Sequence, residues 1–189
     1  CYQLGECQKN SFVEMERKCP VRISTVIRRW FNFGFGSADY TVGWHYTPTN
    51  STTTYNTGGD IWEVDISADG TNMVAASSDD YVYFFERNSS SPSWKYETDD
   101  EVRRVAISAN GKYIIAGSQD EYVYFFDSTS STPLWSYDLG SDISSVSISA
   151  DGSYVIVARN GEMILFGKNN NTPIWTWETT HAIGAEISA

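Results

Sequence analysis

The chain has 189 residues, of which 41% are hydrophobic and 15% aromatic, and its formal net charge is −11. This size and composition fit a single globular domain, and the negative charge disfavours nucleic-acid binding because the chain would repel phosphate. No apolar run approaches the roughly 18 residues of a membrane span, and no stretch has the form of a signal peptide.

Residues 1–39 differ in character from the rest of the chain. They contain six basic and four acidic side chains and all three cysteines, Cys1, Cys7 and Cys19. These cysteines are the disulfide candidates, and because their number is odd at least one thiol is left over. Cys1 as first residue resembles a lipid-anchored mature lipoprotein, and an arbitrary chain start explains it equally well.

Two interpretations of this segment compete. Ile23, Val26, Ile27 and Trp30 have the spacing of a short amphipathic helix. Alternatively, residues 12–46 are a degenerate copy of the repeat described next. Aligning Trp44 with Trp135 then places strands at Phe12–Arg17, Val21–Ile27, Trp30–Phe35 and Val42–Tyr46. The many β-branched residues and the alternating phenylalanines favour strands, so we predict the degenerate copy, followed by a polar loop at Thr47–Gly58.

A repeat occupies most of residues 40–189. Three clear copies cover about 61–96, 102–137 and 143–177, and their turn glycines Gly70, Gly111 and Gly152 recur at intervals of 41 residues. Self-similarity at this period is typical of architectures that stack one structural unit on the next.

Each copy predicts four short strands, A to D. In the middle copy these are Val102–Ser108, Lys112–Gly117, Glu121–Asp127 and Pro133–Tyr137. The Asn110-Gly111 pair predicts a tight turn between A and B. Strand C is apolar on both faces, and the proline at the start of D places that strand at the sheet edge. Since such a sheet cannot bury both faces alone, we predict an array of antiparallel sheets.

Two motifs carry a family resemblance. The stretch VAISANGKYIIAGSQD at 105–120 resembles the core of a WD40 repeat, and DSTSSTPLW at 127–135 resembles the tryptophan-docking end of a quinoprotein (PQQ-type) repeat. The mixture is similar to the WD40/quinoprotein-like propellers frequent in archaeal surface proteins. The resemblance implies an all-β fold, a β-propeller of four-stranded antiparallel blades. The chain departs from the WD40 pattern because it has neither the tetrad histidine nor the terminal Trp-Asp pair.

The last stretch, Ala182–Ala189, is predicted to be the A strand of a further, unfinished blade. A propeller closes with four to eight blades. We therefore expect further copies or another chain to complete the array, whose total blade number stays open.

Acidic residues are expected to gather at one end of the array. In an up-and-down meander the D–A loops and the B–C turns lie at the same end, and the acidic face predicted there includes Asp79, Asp80, Asp99, Asp100, Asp120, Glu121 and Glu162. Such a face attracts cations or a basic partner. It also fits a solubilising surface with turn-capping aspartates, as the WD40 resemblance implies for Asp80 and Asp120.

A metal site is one further hypothesis for this end. Asp60, Glu101, Asp142 and His181 each stand six residues before a strand-A isoleucine, so a radial array would direct them toward its central channel. Oxygen ligands favour calcium or magnesium; ordinary polar residues at strand entries explain the pattern too. No resident cofactor is predicted, because a quinone site would need a complete propeller, calcium and a catalytic aspartate.

Three Asn-x-Ser/Thr sequons occur at Asn50, Asn88 and Asn170, all in predicted loops. A glycosylated surface protein would place them there, although polar loops also generate sequons by chance.

The sequence contains no recognisable catalytic motif. We therefore expect a non-enzymatic, extracellular propeller that acts as a structural or protein-interaction scaffold at a cell surface. Two alternatives remain open. One is a subunit of a filament or sheath whose partial blade is completed by another copy. The other is a fragment of a quinoprotein-like enzyme or ligand-binding propeller.

Overall fold

The computed structural model describes residues 21–22, 32–46, 51–87, 89–180 and 184–187. These residues contain sixteen β-strands and no helix, arranged as four antiparallel sheets of four strands. Sheet 1 consists of β1 Val21–Arg22, β2 Asn32–Ser37, β3 Thr41–Tyr46 and β4 Ser51–Asn56. Sheet 2 consists of β5 Ile61–Ile66, β6 Asn72–Ser77, β7 Tyr81–Glu86 and β8 Trp94–Glu97. Sheet 3 consists of β9 Val102–Ile107, β10 Tyr113–Ser118, β11 Tyr122–Asp127 and β12 Trp135–Asp138. Sheet 4 consists of β13 Ile143–Ile148, β14 Tyr154–Arg159, β15 Glu162–Gly167 and β16 Pro173–Glu178.

Every sheet is a meander in which strands pair in sequence order, so the first and fourth strands form its two edges. The turn between the first two strands of sheet 3 shows how the sequence specifies this. Gly111 has a φ of +70°, which is accessible to glycine without strain. The Asn110 side chain accepts hydrogen bonds from the Ser108 hydroxyl (2.8 Å) and from the Lys112 amide (3.0 Å). The turn is therefore held by its own side chains.

The sheets follow one another as a fan. The first strands of consecutive sheets, β5, β9 and β13, pack side by side. The fourth strand of each sheet lies at the opposite edge. Side chains on one first strand bind backbone amides of the next: Val105 donates to Glu63 Oε2 and Ile107 to Asp65 Oδ2, both at 2.9 Å. These carboxylates satisfy amides that no strand of their own sheet could reach.

Aromatic side chains fill the spaces between sheets. Trp135 of β12 stacks on Phe125 of its own sheet, with ring centroids 4.9 Å apart, and packs on Phe166 of sheet 4 at 5.4 Å. Its indole N–H donates to the Lys168 carbonyl at 3.0 Å. Trp94 repeats the arrangement one sheet earlier, between Phe84 and Phe126. Each outer-strand tryptophan thus joins its own sheet to the following one.

The strands predicted for the middle copy agree with β9 to β12 to within two residues at each end. The predicted all-β architecture of four-stranded antiparallel blades is therefore confirmed, and β11 is sandwiched as expected, with Val123, Phe125 and Phe126 fully buried.

Sheet 1 exists, but its strands are displaced by one from the predicted alignment. The region expected to be a loop, Thr47–Gly58, contains the outer strand β4, and Trp44 lies in the third strand, where it packs edge-on against Phe85. The alignment was wrong because it took Trp44 for a docking tryptophan, whereas Thr53 occupies the position of Trp94. The predicted strand Phe12–Arg17, the alternative helix and the three cysteines lie outside the described residues.

Residues 184–187 form no strand in a sheet, but they lie along β13 as the predicted further A strand would. The amide of Ile187 donates to Ser147 Oγ at 3.2 Å and that of Ala185 to Ser145 Oγ at 3.5 Å. In the part of the chain that the structure describes, no helix is long and apolar enough to cross a membrane.

Replacing Trp135 with alanine is expected to lower the free energy of unfolding by about 3–5 kcal/mol, because a buried indole that joins two sheets is lost. Trp175→Ala, in the same strand position of sheet 4, is the matched control. Trp175 is 41% exposed, against 8% for Trp135, so its replacement is expected to cost less, about 1 kcal/mol. Urea denaturation followed by circular dichroism measures both, and equal losses would contradict the interface assigned to Trp135.

Candidate interaction surface

Loops of two kinds meet at one end of the fan: the segments that lead from each sheet to the next, and the turns between second and third strands. The amide of Gly58 donates to Asp79 Oδ2 (2.6 Å), and that of Asp99 donates to Asp120 Oδ2 (3.2 Å). The Gln119 amide donates to the Glu101 carbonyl at 2.8 Å. We call this end of the fan the loop face and define it by 57–60, 78–80, 98–101, 119–121, 138–142 and 160–162.

Two of its aspartates are structural. The Asp120 carboxylate accepts a hydrogen bond from the Tyr124 hydroxyl at 2.6 Å, and Asp79 accepts the equivalent bond from Tyr83 at the same distance. Burial is the main cause that raises the pKa of each tyrosine hydroxyl. The hydrogen bond to the carboxylate is the second cause. These phenols stay protonated and donate, so each aspartate ties a turn to its strand and to the preceding loop. The sequence signal, an aspartate four residues before a strand tyrosine, was not recognised as a pair.

Other carboxylates of the loop face point into solvent. Asp99, Asp100 and Glu121 are exposed. Glu121 has a φ of +72° and Asp80 a φ of +70°, a region that costs most side chains about 1 kcal/mol or more. In sheet 4 the corresponding turn residue is Gly161, which adopts this region freely. The repeats that form sheets 2 and 3 thus keep an acidic side chain at a position where glycine would relieve backbone strain.

Mutual repulsion is visible at Asp80. Burial raises the pKa of this carboxyl, and the neighbouring carboxylates of Asp100, Asp79, Glu101 and Glu97 raise it further. Negative charge is therefore dense enough in this part of the loop face for the folded chain to disfavour one of its own ionised groups.

One glutamate of the predicted acidic face forms an ion pair. Glu162, predicted to belong to the acidic face, receives the Arg159 guanidinium, with Nε to Oε2 at 2.7 Å, and the same guanidinium donates to the Leu139 carbonyl. Within the described residues Glu162 is thus paired, as Glu101 is with Arg103, so the aspartates and Glu121 carry the net negative charge of the loop face.

The four predicted metal ligands are not assembled within the described residues. No group of three or more histidine, cysteine or acidic side chains there is placed to hold a metal ion. Glu101 instead accepts from the Trp62 indole (3.2 Å) and pairs with Arg103 (2.9 Å), whose guanidinium lies over the Trp62 ring. Asp142 is exposed, Asp60 is partly buried, and His181 lies outside the described residues, so the site stays a prediction.

The opposite end of the fan carries acidic residues of another kind. Asp151 accepts hydrogen bonds from the Ser153 hydroxyl, the Ser153 amide and the Ser149 hydroxyl, and these bonds lower the pKa of its carboxyl to about 2. Asp69 is held in the same way by Ser67 and Thr71. These aspartates stabilise turns, as Asn110 does in sheet 3.

Asp80→Asn is expected to raise the free energy of unfolding at neutral pH by up to about 0.5 kcal/mol, because it removes a repelled charge and asparagine tolerates positive φ. The raised folded pKa makes ionised Asp80 a cost above that pKa, and this cost vanishes as pH falls below the unfolded value of 3.8. The gain should therefore be present at pH 7 and absent at pH 3 in thermal unfolding. Glu86→Gln removes one charge elsewhere; an equal gain there would contradict local repulsion.

Comparison with known proteins supports the architecture. The model of the family described as "WD domain, G-beta repeat" matches residues 48–86 and 90–127. Each match runs from the outer strand of one sheet through the first three strands of the next. No curated protein matches the chain.

Among solved structures, a chain of a "Crystal Structure of Mitotic Checkpoint Complex" is similar, with a TM-score of 0.70 and 15% sequence identity. The match covers 83% of this chain and 55% of that one, so this chain spans about half the length of its structural neighbour. Since 1551 solved chains match, the likeness identifies a fold and singles out no function. Residues 48–86 and 90–127 therefore match the WD40 repeat, and the four four-stranded antiparallel sheets are arranged as the blades of a β-propeller.

Proposed function

We propose that this chain is a non-enzymatic scaffold that binds a basic segment of a partner protein on its loop face. The observation that carries the proposal is the concentration of exposed, unpaired carboxylates, among them Asp99 and Glu121, on turns fixed by the Asp–Tyr pairs. Rigid turns hold these charges in place before binding, which reduces the entropy lost when a partner docks.

Two features support binding over mere solubility. The environments of the two ends differ, because burial and the repulsion of neighbouring carboxylates raise the pKa of Asp80 on the loop face whereas turn hydrogen bonds lower the pKa of Asp151 at the opposite end. A cationic partner would relieve this repulsion, so binding would be coupled to the raised pKa of Asp80. Acidic side chains also persist at the strained positions of Asp80 and Glu121, and local strain of this kind concentrates at functional sites.

The triple variant Asp99→Asn, Glu121→Gln, Asp142→Asn tests the proposal, with octalysine as the probe in isothermal titration calorimetry at low ionic strength. These three exposed carboxylates lie on the loop face, and their neutralisation is expected to weaken binding about tenfold or more.

The matched control is Asp69→Asn, Glu86→Gln, Asp151→Asn, which removes the same charge away from the loop face and places asparagine in turns that Asn110 shows to accept it. The control should change the affinity by less than about twofold. Equal losses in the two variants would mean that octalysine responds to net charge alone, and the loop face would lose its assignment.

We further propose that the scaffold works outside the cell, at a surface. The support is the set of sequons, of which Asn170 is exposed in the turn between β15 and β16, while Asn50 and Asn88 lie outside the described residues. A glycan at Asn170 would extend into solvent without disturbing a sheet.

Native material is therefore expected to carry N-glycan on Asn170. Intact-mass analysis before and after enzymatic deglycosylation measures this, with Asn170→Gln as the control that should remove one glycan mass. Unmodified Asn50, Asn88 and Asn170 in native material would remove the main support for an extracellular role, while the binding test above would still stand.

A further inference from the structure

Neighbouring first strands are joined by hydrogen bonds from the amides of one strand to the side chains of the strand before it. At the junction of β5 and β9, the amides of Val105 and Ile107 donate to the carboxylates of Glu63 and Asp65, both at 2.9 Å. The amides of residues 184–187 likewise donate to serine hydroxyls of β13. Acceptor side chains on a first strand are therefore a recurring feature of the array.

The junction of β9 and β13 lacks these acceptors. At the preceding junction each donor stands 42 residues after its acceptor. The same separation brings the Val146 amide opposite Arg104 and the Ile148 amide opposite Ala106. A guanidinium only donates hydrogen bonds, and the alanine side chain has no polar atom. Among the described residues, no hydrogen bond joins either amide to β9.

The two junctions are otherwise built alike. The residues that present the amides are valine and isoleucine in both β9 and β13. β13 pairs with β14 in the register in which β9 pairs with β10, with the same shift near the strand start. The turn glycines also match, because Gly111 lies against Asn72 of the sheet before it and Gly152 lies against Tyr113. The missing acceptors are therefore a difference in side chains between two junctions of the same backbone design.

Arg104 brings positive charge to this junction. Its Nε donates to the Ser144 carbonyl at 2.6 Å, and its Nη1 donates to the Arg103 carbonyl at 2.9 Å. The first bond holds the guanidinium on β13, two residues before Val146. No acidic side chain of the described residues forms an ion pair with Arg104, although the chain has a net charge of −11. A partly buried guanidinium beside amides that lack acceptors favours an anion.

The open position suits a carboxylate. Ala106 stands where Asp65 supplies its carboxylate one junction earlier, so the group that is missing has two acceptor oxygens. One oxygen accepts from an amide of β13, as Asp65 Oδ2 accepts from β9, and the other accepts from the guanidinium, whose fork matches carboxylate geometry. Val146 and Ile148 are only partly buried, so solvent and small solutes reach the junction.

We propose that the junction of β9 and β13 is a binding site for a carboxylate anion, held by the Arg104 guanidinium and the amides of Val146 and Ile148. The anion takes the place that the carboxylates of β5 occupy one junction earlier. It is a small free carboxylate or an acidic group of another protein, and the two share this chemistry. Both amides belong to the half of β13 remote from the loop face, so this site and the proposed binding of a basic segment are tested separately.

Proton–nitrogen correlation NMR of the full chain tests the site. One titration uses sodium acetate and the other acetyl-Gly-Asp-Gly-amide, each at neutral pH and constant ionic strength. The amide protons of Val146 and Ile148 are expected to move downfield along a saturable curve because they gain an acceptor. The amides of Val105 and Ile107 are the matched control in the same spectrum, since they already have carboxylate acceptors and should not move.

Tighter binding of the peptide would assign the site to an acidic group of another protein, and tighter or equal binding of acetate would assign it to a small free anion. No saturable shift at Val146 or Ile148 with either probe would overturn the proposal. An equal shift at these amides and at Val105 and Ile107 would also overturn it.

Two arginine variants identify the group that holds the charge. Arg104→Gln should weaken binding of the probe about tenfold or more, because a charge-assisted hydrogen bond is lost. Arg103→Gln removes the same charge one residue away, from a guanidinium that is already paired with Glu101, and should change the affinity by less than about twofold. Equal losses would contradict the role of Arg104.

Ala106→Asp supplies the carboxylate that Asp65 supplies one junction earlier. The Ile148 amide proton should then lie downfield without any probe, and its response to acetate or the peptide should disappear. A response of Ile148 that persisted in this variant would mean that the anion binds elsewhere, and the assigned site would be wrong. The titration of the unmodified chain decides the proposal if a variant fails to fold.

Discussion

One constraint governs this molecule: a sheet that is apolar on both faces is stable only with a neighbour on each side. Phe125 and Phe126 are adjacent in β11 and both fully buried, one packing toward sheet 4 and the other toward sheet 2. Because side chains alternate along a strand, a single strand serves two interfaces. Stability therefore spreads from sheet to sheet, as in other repeat architectures.

Because packing between sheets holds the array together, the loops at one end can carry charged side chains. The sheets are held by their aromatic interfaces and by amides bound to Glu63 and Asp65. The loop face is held separately, by the two Asp–Tyr pairs and by the buried hydroxyls of Thr57 and Thr98. Exposed carboxylates can accumulate there at modest cost. The raised pKa of Asp80 and the positive φ of Glu121 are the local marks of that cost, and both fall on the surface with the most unpaired charge.

The sequence predicted sheets 2 to 4 well because period, turn residues and aromatic strands agree with one another. It failed at sheet 1, where Trp44 was taken for a docking tryptophan, since strand composition alone does not reveal the order of strands in a blade. The pairing of Arg159 with Glu162 was also missed. The net charge of each loop can be counted from the sequence. Which of these charges is paired with an opposite charge depends on contacts between side chains in the folded chain.

The array of four sheets also has a direction. Tryptophan and tyrosine of a fourth strand point toward the following sheet, where they meet the last phenylalanine of its third strand, as Trp94 and Tyr96 meet Phe126 and as Trp135 and Tyr137 meet Phe166. Two copies of sheet 4 meeting face to face would place indole against indole and leave each Trp175 N–H without the carbonyl that Trp94 and Trp135 find at Ser128 and Lys168. A buried donor left unpaired costs about 1–3 kcal/mol, so a symmetric dimer through this face is disfavoured.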